Sequence, residues 1–585
     1  MPGKERRKGV IKSMKESIKQ LWRDDRPFKK RLALSALVGL ALPFTFVTVG
    51  ILELFMNNIG LFPFTISDLL TPTLLLSLLC FVILTAVGGL LKGWFLDIYL
   101  SLEAGFLLAG YLQGNFLNLN LGEMTGDPID WSQYTGHGIF NTLVWMVLFL
   151  APLIVFTFWD KIWRKLIVIL PAVLIAMQTA GLVSTTLGTD FSTEVTNTAS
   201  EPVEAYVSEK GMFELSTKKN VLVFVLDRLD GKYIDQVQAD DATFFDDLEG
   251  FTYYPNHTSL YGRTYPSVVY LLTGKVSMFD QKPEELFSTA YSEGRFIPTL
   301  REHGFTTKLY LGKYFTYSDI SQLEGLADNI VNEKMETTID RTVMLEKMLN
   351  FSAYRYAPHV MKQYFWFTPE TFQEAVTVKN ELLPFDTEEY KFGDRLRATP
   401  LTLQDQQDNF MYLHIKGCHA SYDMDENGYY VEDGTSTLLA QTKGNFRLLK
   451  QYMQQMKDLG VYDSSTIIIT GDHGKSEDVH SLDTYKTTAL FVKPSGSPRE
   501  PLKVSNKPVS HANFQATVLE AAGIETTEFG DSIWDVPEDA QIPRRFLYRM
   551  DGGEESVLEE YQVIGDARDF NNWTHVRDHE ILYNR

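Results

Sequence analysis

Five residues in the C-terminal two-thirds of the chain have the types and positions to bind a metal ion and an anion and to supply a nucleophile and a proton donor. Asp227 closes the apolar run Val221–Leu226. Asp472 and His473 follow the run Thr466–Thr470 inside Gly471-Asp472-His473-Gly474, and His419 follows Phe410–Ile415 by a few residues. A carboxylate at a strand end is commonplace by itself. Asp and His held together by flanking glycines can turn into one cleft, and that pair binds borderline cations such as Zn²⁺ or Mn²⁺. Thr264 is the fifth. It stands two residues ahead of Pro266, and an apolar helical run follows it to Gly274. This places its hydroxyl at a helix N-terminus, where free N–H groups and the dipole favour an anion. Taken alone, Thr264 reads better as a helix cap, and Asp-His-Gly equally well as an ordinary turn.

These residues need elements to position them. Short apolar runs at Val221–Leu226, Thr307–Leu311, Phe410–Ile415, Thr466–Thr470 and Ala489–Val492 alternate with helical patterns such as Leu439–Leu459 and Asn513–Ala522. Strands buried on both faces and separated by helices predict an α/β fold with a doubly wound, mainly parallel sheet. Reactive groups in such sheets collect at the carboxyl ends of the strands, where Asp227, His419, Asp472 and His473 all fall.

The N-terminal third differs. Apolar stretches at Leu32–Leu54, Leu70–Leu91, Phe95–Leu112, Ile139–Trp159 and Leu166–Leu187 are each near the length a bilayer requires. Asp97 and Glu103 interrupt the third, which leaves a re-entrant or interfacial helix as its alternative and gives the two acids a structural role. Lys and Arg crowd the first 31 residues, and Lys92, Lys161, Arg164 and Lys165 follow the second and fourth stretches. The segments Asn57–Asp68 and Gln113–Gly138 hold neither. The excess of positive charge on one side predicts five crossings, a cytoplasmic N-terminus and an extracytoplasmic C-terminal domain. The basic tail is too long for a signal peptide and reads as an anchor on an anionic leaflet. The expected organisation is a tail (1–31), a five-helix transmembrane region (32–187), a linker (188–219) and a catalytic domain (220–585). A net charge of −21 excludes a nucleic-acid partner. Cys80 and Cys418 offer no disulfide framework.

Four blocks in order resemble the alkaline-phosphatase/sulfatase superfamily. They are Asp227 after the first strand; Thr264, Pro266, Ser267 and Leu272-Thr273-Gly274, like its Cys/Ser/Thr-x-Pro-Ser-Arg nucleophile motif with Leu-Thr-Gly; Gly417, His419 and Tyr422, like its Gly-x-His-x-Pro-Tyr loop, with Ser421 in place of Pro; and Asp472-His473-Gly474. A stretch like the family's late helix, Ser510–Ile524, follows. With five preceding spans the chain is similar to lipoteichoic acid synthases and phosphoethanolamine transferases.

The resemblance implies a divalent cation, Mn²⁺ first and Zn²⁺ or Mg²⁺ as alternatives, held by Asp227, Thr264, Asp472 and His473. Thr264 would be the nucleophile and His419 the group that binds substrate or protonates the leaving alcohol. Arg263, Lys416 and His511 are substrate-binding candidates, and His511 or His480 could instead serve a second metal. Threonine cannot be oxidised to formylglycine as the Cys or Ser of formylglycine sulfatases is, which points to phosphoryl-group transfer. The implied function is transfer of a phosphoglycerol or phosphoethanolamine head group from a membrane phospholipid donor, through a phospho-threonine, to a cell-envelope glycan or lipid acceptor at the plasma or inner membrane. A single cysteine in the outer domain leans towards phosphoglycerol, yet Leu309–Tyr317 lacks the His-Trp-Arg set of that branch. A hydrolase of phosphodiesters or sulfate esters, or a catalytically silent lipid-binding regulator, remains the alternative.

Overall fold

Asn220–Leu226 forms strand β1, buried along its whole length. Val221, Val223 and Val225 face one hydrophobic cluster, while Leu222, Phe224 and Leu226 face another. A strand whose alternate residues enter two cores must lie in a sheet covered on both sides. Six further strands join it: β2 (Thr252–Tyr253), β3 (Phe305–Tyr310), β4 (Asp408–Ile415), β5 (Ser465–Thr470), β6 (Leu490–Lys493) and β7 (Lys503–Val504). Their order is β7-β2-β6-β5-β1-β4-β3. The centre, β5-β1-β4-β3, is parallel. The expected sheet is thus present, with one difference: β6 runs antiparallel to β5 and to β2. The described residues between β5 and β6 hold no helix, and a strand that returns without a crossover runs antiparallel.

This computed structural model describes residues 22–24, 26–119, 129, 131–191, 205–312, 320–333, 336–367, 369–405, 407–432, 435–475, 482, 484–549 and 557–581. The chain divides into two compact units, Met1–Val203 with Met335–Lys379, and Glu204–Lys334 with Asn380–Arg585.

In the unit that holds the sheet, Val268, Val269, Leu271 and Leu272 cover one face together with Phe514, Val518 and Leu519. Phe446, Leu448, Leu449, Tyr452, Met453 and Met456 cover the other. The polar stretch after Glu204, expected as linker, contributes two short strands to this unit. Tyr206–Val207 pairs with Ile330–Val331, and Glu214–Ser216 with Thr402–Gln404. A separate antiparallel sheet ends the chain: β8 (Arg544–Arg549), β9 (Val557–Val563) and β10 (Trp573–Glu580).

Among the described residues, the other unit contains five helices long and apolar enough to cross a membrane: α1 (Phe28–Asn57), α2 (Ile66–Leu90), α3 (Gly93–Leu117), α4 (Trp131–Phe158) and α5 (Asp160–Gly188). The third is a continuous helix despite its acids. Asp97 is paired with Arg26 at 2.7 Å, and Glu103 is buried. Buried polar pairs tie the helices, among them Thr48 Oγ1 to Ser77 Oγ (2.9 Å) and Trp163 Nε1 to Ser101 Oγ (2.8 Å). Such bonds matter where water is absent to compete.

Residues 335–379, placed by sequence in the catalytic domain, belong to this helical unit. Its helix, Arg341–Tyr356, sends Met344 and Met348 into a cluster with Ile51, Leu52, Phe55, Phe62 and Phe64. Arg355 pairs with Glu53 at 3.0 Å, and Ser352 Oγ donates to Phe46 O at 2.5 Å. Nothing in the local pattern of the helix distinguishes it from a helix of the α/β domain, which is why the sequence boundary missed it.

Candidate active site and metal centre

β1 ends at Leu226 and delivers Asp227. The next residue, Arg228, has φ of +58°, an uncommon conformation for a non-glycine residue. That turn aims the Arg228 N–H at Oδ1 of Asp472, 3.0 Å away, across from the end of β5. Oδ1 of Asp472 also accepts from the His473 N–H at 2.9 Å. One oxygen of Asp472 is therefore held by two backbone donors, which fixes the direction of the other.

The helix Thr264–Thr273 starts with Thr264 and stops at Gly274, whose φ of +75° closes the last turn. No side chain caps its N-terminus. Thr264 Oγ1 is 3.2 Å from His473 Nε2 and 3.4 Å from Asp227 Oδ2, to which it donates. His473 Nε2 is 3.6 Å from Asp227 Oδ1 and 3.6 Å from Asp472 Oδ2. The Nδ1 of His473 meets the carbonyl of Gly474, so Nδ1 carries the proton and Nε2 presents its lone pair to the cluster.

The cluster fits a divalent cation. One ligand atom from each of Asp227, Asp472 and His473 lies within 4.8 Å of the other two. Oδ1 of Asp227 and Oδ2 of Asp472 are buried without a hydrogen-bond donor. An uncompensated buried carboxylate oxygen costs about 1–3 kcal/mol or more, which a cation at this point would offset. Electrostatics separate the two acids. Burial raises the Asp227 carboxyl well above the usual carboxylate range, and Asp472 raises it further, against His414, Arg228 and the Thr264 hydroxyl. Burial acts the same way on Asp472, but His473, His414 and the Arg228 N–H outweigh it and hold that group below its usual range. Burial also lowers His473, against the pull of Asp472. A neutral imidazole is the form that binds metal.

His419 belongs to the same neighbourhood, since the N–H of the preceding residue, Cys418, donates to the Asp227 carbonyl at 2.8 Å. It is half-buried, and its backbone carbonyl accepts from Gln441 at 3.0 Å. Gly417, two residues earlier, has φ of +58°, and a Cβ there would lie 2.6 Å from the Asp227 nitrogen. Only glycine allows the loop to cross β1 so closely. Arg263 is half-buried directly before the Thr264 helix.

Two of the substrate-binding candidates are committed elsewhere. Lys416 is ion-paired to Asp423 at 2.7 Å and Glu388 at 3.0 Å, with little exposure. His511 is buried and bonds through Nε2 to the Gly471 carbonyl at 3.2 Å, so it buttresses the turn that carries Asp472 and His473. Burial lowers it to about 4. Its ring lies 5.3 Å from that of His257, which bonds to the Thr488 carbonyl. His480 and residues 313–317 lie outside the described residues.

Two contributors escaped sequence reasoning. His414, on β4, places Nε2 3.8 Å from Asp472 Oδ2. Its signal was a histidine inside an otherwise apolar, buried strand. Asp230 accepts the Lys475 N–H at 2.9 Å through Oδ2 and so ties down the residue after Gly474. It carried no separate signal among ordinary surface acids.

Among solved structures, the chain is similar to a protein in the alkaline phosphatase superfamily from Vibrio parahaemolyticus (11% identity, 64% of this chain and 84% of that one, TM-score 0.34). It is similar also to the lipoteichoic acid synthase LtaP from Listeria monocytogenes (10%, 64% and 91%, TM-score 0.33). A third is the phosphonate monoester hydrolase from Silicibacter pomeroyi (12%, 62% and 89%, TM-score 0.35). A search of curated proteins returned no match. The sulfatase family model matches residues 219–524, from the residue before β1 through the whole seven-stranded sheet. That is more than half of the chain, and Asp227, Thr264, His419, Asp472 and His473 all fall inside it; the chain belongs to the sulfatase family of enzymes.

Proposed function

We propose that this enzyme transfers a phospho-alcohol head group, of the phosphoglycerol or phosphoethanolamine type, from a membrane phospholipid to a hydroxyl of a cell-envelope glycan or lipid. The observation that carries this reading is the Thr264 hydroxyl, placed at an uncapped helix N-terminus within 3.4 Å of both Asp227 and His473. A threonine there rules out the formylglycine route and keeps an ordinary hydroxyl nucleophile. The five apolar helices favour a donor that resides in a membrane over a soluble ester. The excess of Lys and Arg on one side of those helices favours a cytoplasmic N-terminus and an extracytoplasmic sheet unit.

Asp227, Asp472 and His473 would hold a divalent cation, Mn²⁺ as the first candidate, with Thr264 beside it. Such a cation supplies charge stabilisation for a hydroxyl oxygen and for the phosphoryl group. Asp227 Oδ2 accepts the Thr264 hydroxyl hydrogen and orients the oxygen for attack on phosphorus. A Thr264 O–P bond forms as the bond from phosphorus to the diacylglycerol oxygen breaks, and His419 gives that oxygen its proton. The acceptor hydroxyl then attacks the same phosphorus and gives its proton to His419, while the phosphorus–Thr264 bond breaks and Asp227 returns the proton to the Thr264 oxygen. The uncapped N–H groups of the helix face the charge that develops on the phosphoryl oxygens. The Arg228 N–H and His511 hold the ligands in direction throughout.

Intact-mass spectrometry tests the reading. The purified chain is incubated with Mn²⁺ or Zn²⁺ and mixed phospholipids, alongside Thr264→Ala. An adduct on the parent alone, with the mass of a phospho-alcohol, is the expected result and names the head group. Fast release of product to water with no dependence on an acceptor alcohol would replace transfer by hydrolysis. Absence of any adduct together with turnover by Thr264→Ala would overturn the covalent route.

A further inference from the structure

The helical unit contains a second constellation, unrelated to the sulfatase-family residues. His359 begins the short helix His359–Phe365 in the segment that returns to this unit. It is 4% exposed, and neither of its ring nitrogens has a hydrogen-bond partner. The rings of Trp131, Tyr134 and His137 surround it, with centroids 5.6, 5.8 and 5.1 Å away. All three come from the first turns of α4. The Nε2 of His137 is likewise buried without a partner.

The placement is built in. The His359 backbone N–H donates to Asn141 Oδ1 at 2.8 Å, and the Asn141 amide donates to Gln113 at 2.9 Å. A network that joins α3, α4 and the returning segment therefore holds the imidazole where it is. A neutral imidazole carries one N–H and one lone pair, so each ring brings a donor that needs an acceptor. Leaving it unmet costs about 1–3 kcal/mol per group.

The surroundings say what that acceptor is. The α-helical part of α4 begins at Thr135, with no side chain capping its first turn. That turn reads Thr135-Gly136-His137-Gly138. Among the described residues nothing lies within 4 Å of where a Cβ on Gly136 would be, and the His359 ring lies 3.4 Å from the corresponding point on Gly138, in van der Waals contact. A helix N-terminus with accessible backbone carries partial positive charge and favours an anion. Among the described residues, the titratable groups that act on His359 are His137 and Lys362, and neither is a carboxylate. Trp131 also meets Trp366 at 6.2 Å, and such rings gather at the level of lipid head groups. Ile139 and Phe140 on α4, and Val360, Met361 and Tyr364 beside His359, are exposed apolar side chains suited to acyl chains.

We propose that His359, His137 and the N-terminal turn of α4 bind a phosphate group, carried by a membrane phospholipid. The site shares no residue with the Thr264 cluster and does not depend on the transfer reaction.

Native mass spectrometry of the full chain in detergent, on a Thr264→Ala background to prevent turnover, tests this. The probes are phosphatidylglycerol, diacylglycerol with the same acyl chains, and inorganic phosphate. Expected is retention of phosphatidylglycerol over diacylglycerol, weakened about tenfold or more in His359→Phe, which keeps the ring contacts and removes the donors. His137→Phe, at a half-exposed position, should weaken retention in the same direction if His359→Phe does not fold. Inorganic phosphate that fails to displace the lipid assigns the site to a lipid head group. Displacement shows that phosphate alone is read and refutes the lipid source. Equal retention of phosphatidylglycerol and diacylglycerol, or unchanged retention in both variants, overturns the proposal.

Discussion

Oγ1 of Thr264 lies 3.2 Å from Nε2 of His473, so a residue at the start of a helix and one beyond the end of β5 share a single point. A hydroxyl at that point is what the proposed reaction requires, and its methyl group is not. Thr264→Ser should retain head-group transfer within about tenfold, while Thr264→Ala should lose about a thousandfold or more. The assay is the rate of head-group release from phospholipid vesicles at saturating metal. A Thr264→Ala enzyme with near-parental rate would remove Thr264 from the chemistry.

His414 stands beside the cluster-facing oxygen of Asp472, its Nε2 3.8 Å from Oδ2 and outside hydrogen-bond range. Residues beside a metal ligand typically contribute 10–100-fold to affinity. His414→Phe should therefore weaken Mn²⁺ binding by about that factor. Saturating Mn²⁺ should restore most of the rate. Calorimetric metal titration of the two proteins checks the affinity. Equal affinities, with a rate defect that metal does not repair, would make the His414 contribution one of packing alone.

Much of this site was legible because strand ends and helix starts have sequence signatures. The buried run of β1 led to Asp227, and a hydroxyl ahead of proline led to Thr264. Supporting groups were less legible. His414 looks like a strand residue until β4 is known to lie beside β1, and Arg228 contributes through a backbone angle that its side chain does not advertise. Lys416 shows the converse limit. Its charge beside the Gly417–Tyr422 loop was visible, but not that Asp423 and Glu388 take it up. The sheet followed from its apolar runs, except for the direction of β6, which is set by pairing and not by composition. The membership of helix Arg341–Tyr356 in the helical unit depends on long-range contacts such as Arg355 with Glu53, about which local periodicity is silent.

The terminal sheet has its own pH dependence. Glu560 is approached by Arg545 at 2.7 Å, Arg577 at 2.9 Å and His579 at 2.6 Å. Burial would raise its carboxyl, but these three bonds outweigh it and bring the group from the ordinary 4.5 to about 2. A depressed carboxyl contributes stability that is fully present above its unfolded value and lost as pH falls through its folded one. The Tm gap between the parent and Glu560→Gln should thus be full at neutral pH and shrink between about 4.5 and 2. Differential scanning fluorimetry at neutral pH and at about pH 3 measures it. A gap that stays constant across that window would mean that the carboxylate charge contributes nothing to the sheet.

Packing of the returning helix against α1 rests on a glycine. A Cβ on Gly50 would lie 2.4 Å from Ser352 Oγ and 2.8 Å from the Tyr356 ring. Ser352 has little room to move, since its hydroxyl donates to the Phe46 carbonyl one turn earlier on α1. Overpacking of this kind costs about 1–3 kcal/mol. Gly50→Leu should therefore loosen the helix and speed limited proteolysis within residues 335–379 severalfold. Gly50→Ala combined with Ser352→Gly should recover only part of the parent's resistance, because the hydroxyl is gone but the Tyr356 ring still stands 2.8 Å from the added Cβ. Proteolysis of both variants in lipid nanodiscs distinguishes the outcomes. If Gly50→Leu is cut no faster than the parent, the close approach of the helix Arg341–Tyr356 to α1 is not what holds the segment, and the weight shifts to the Arg355–Glu53 pair and to the Met344 and Met348 contacts.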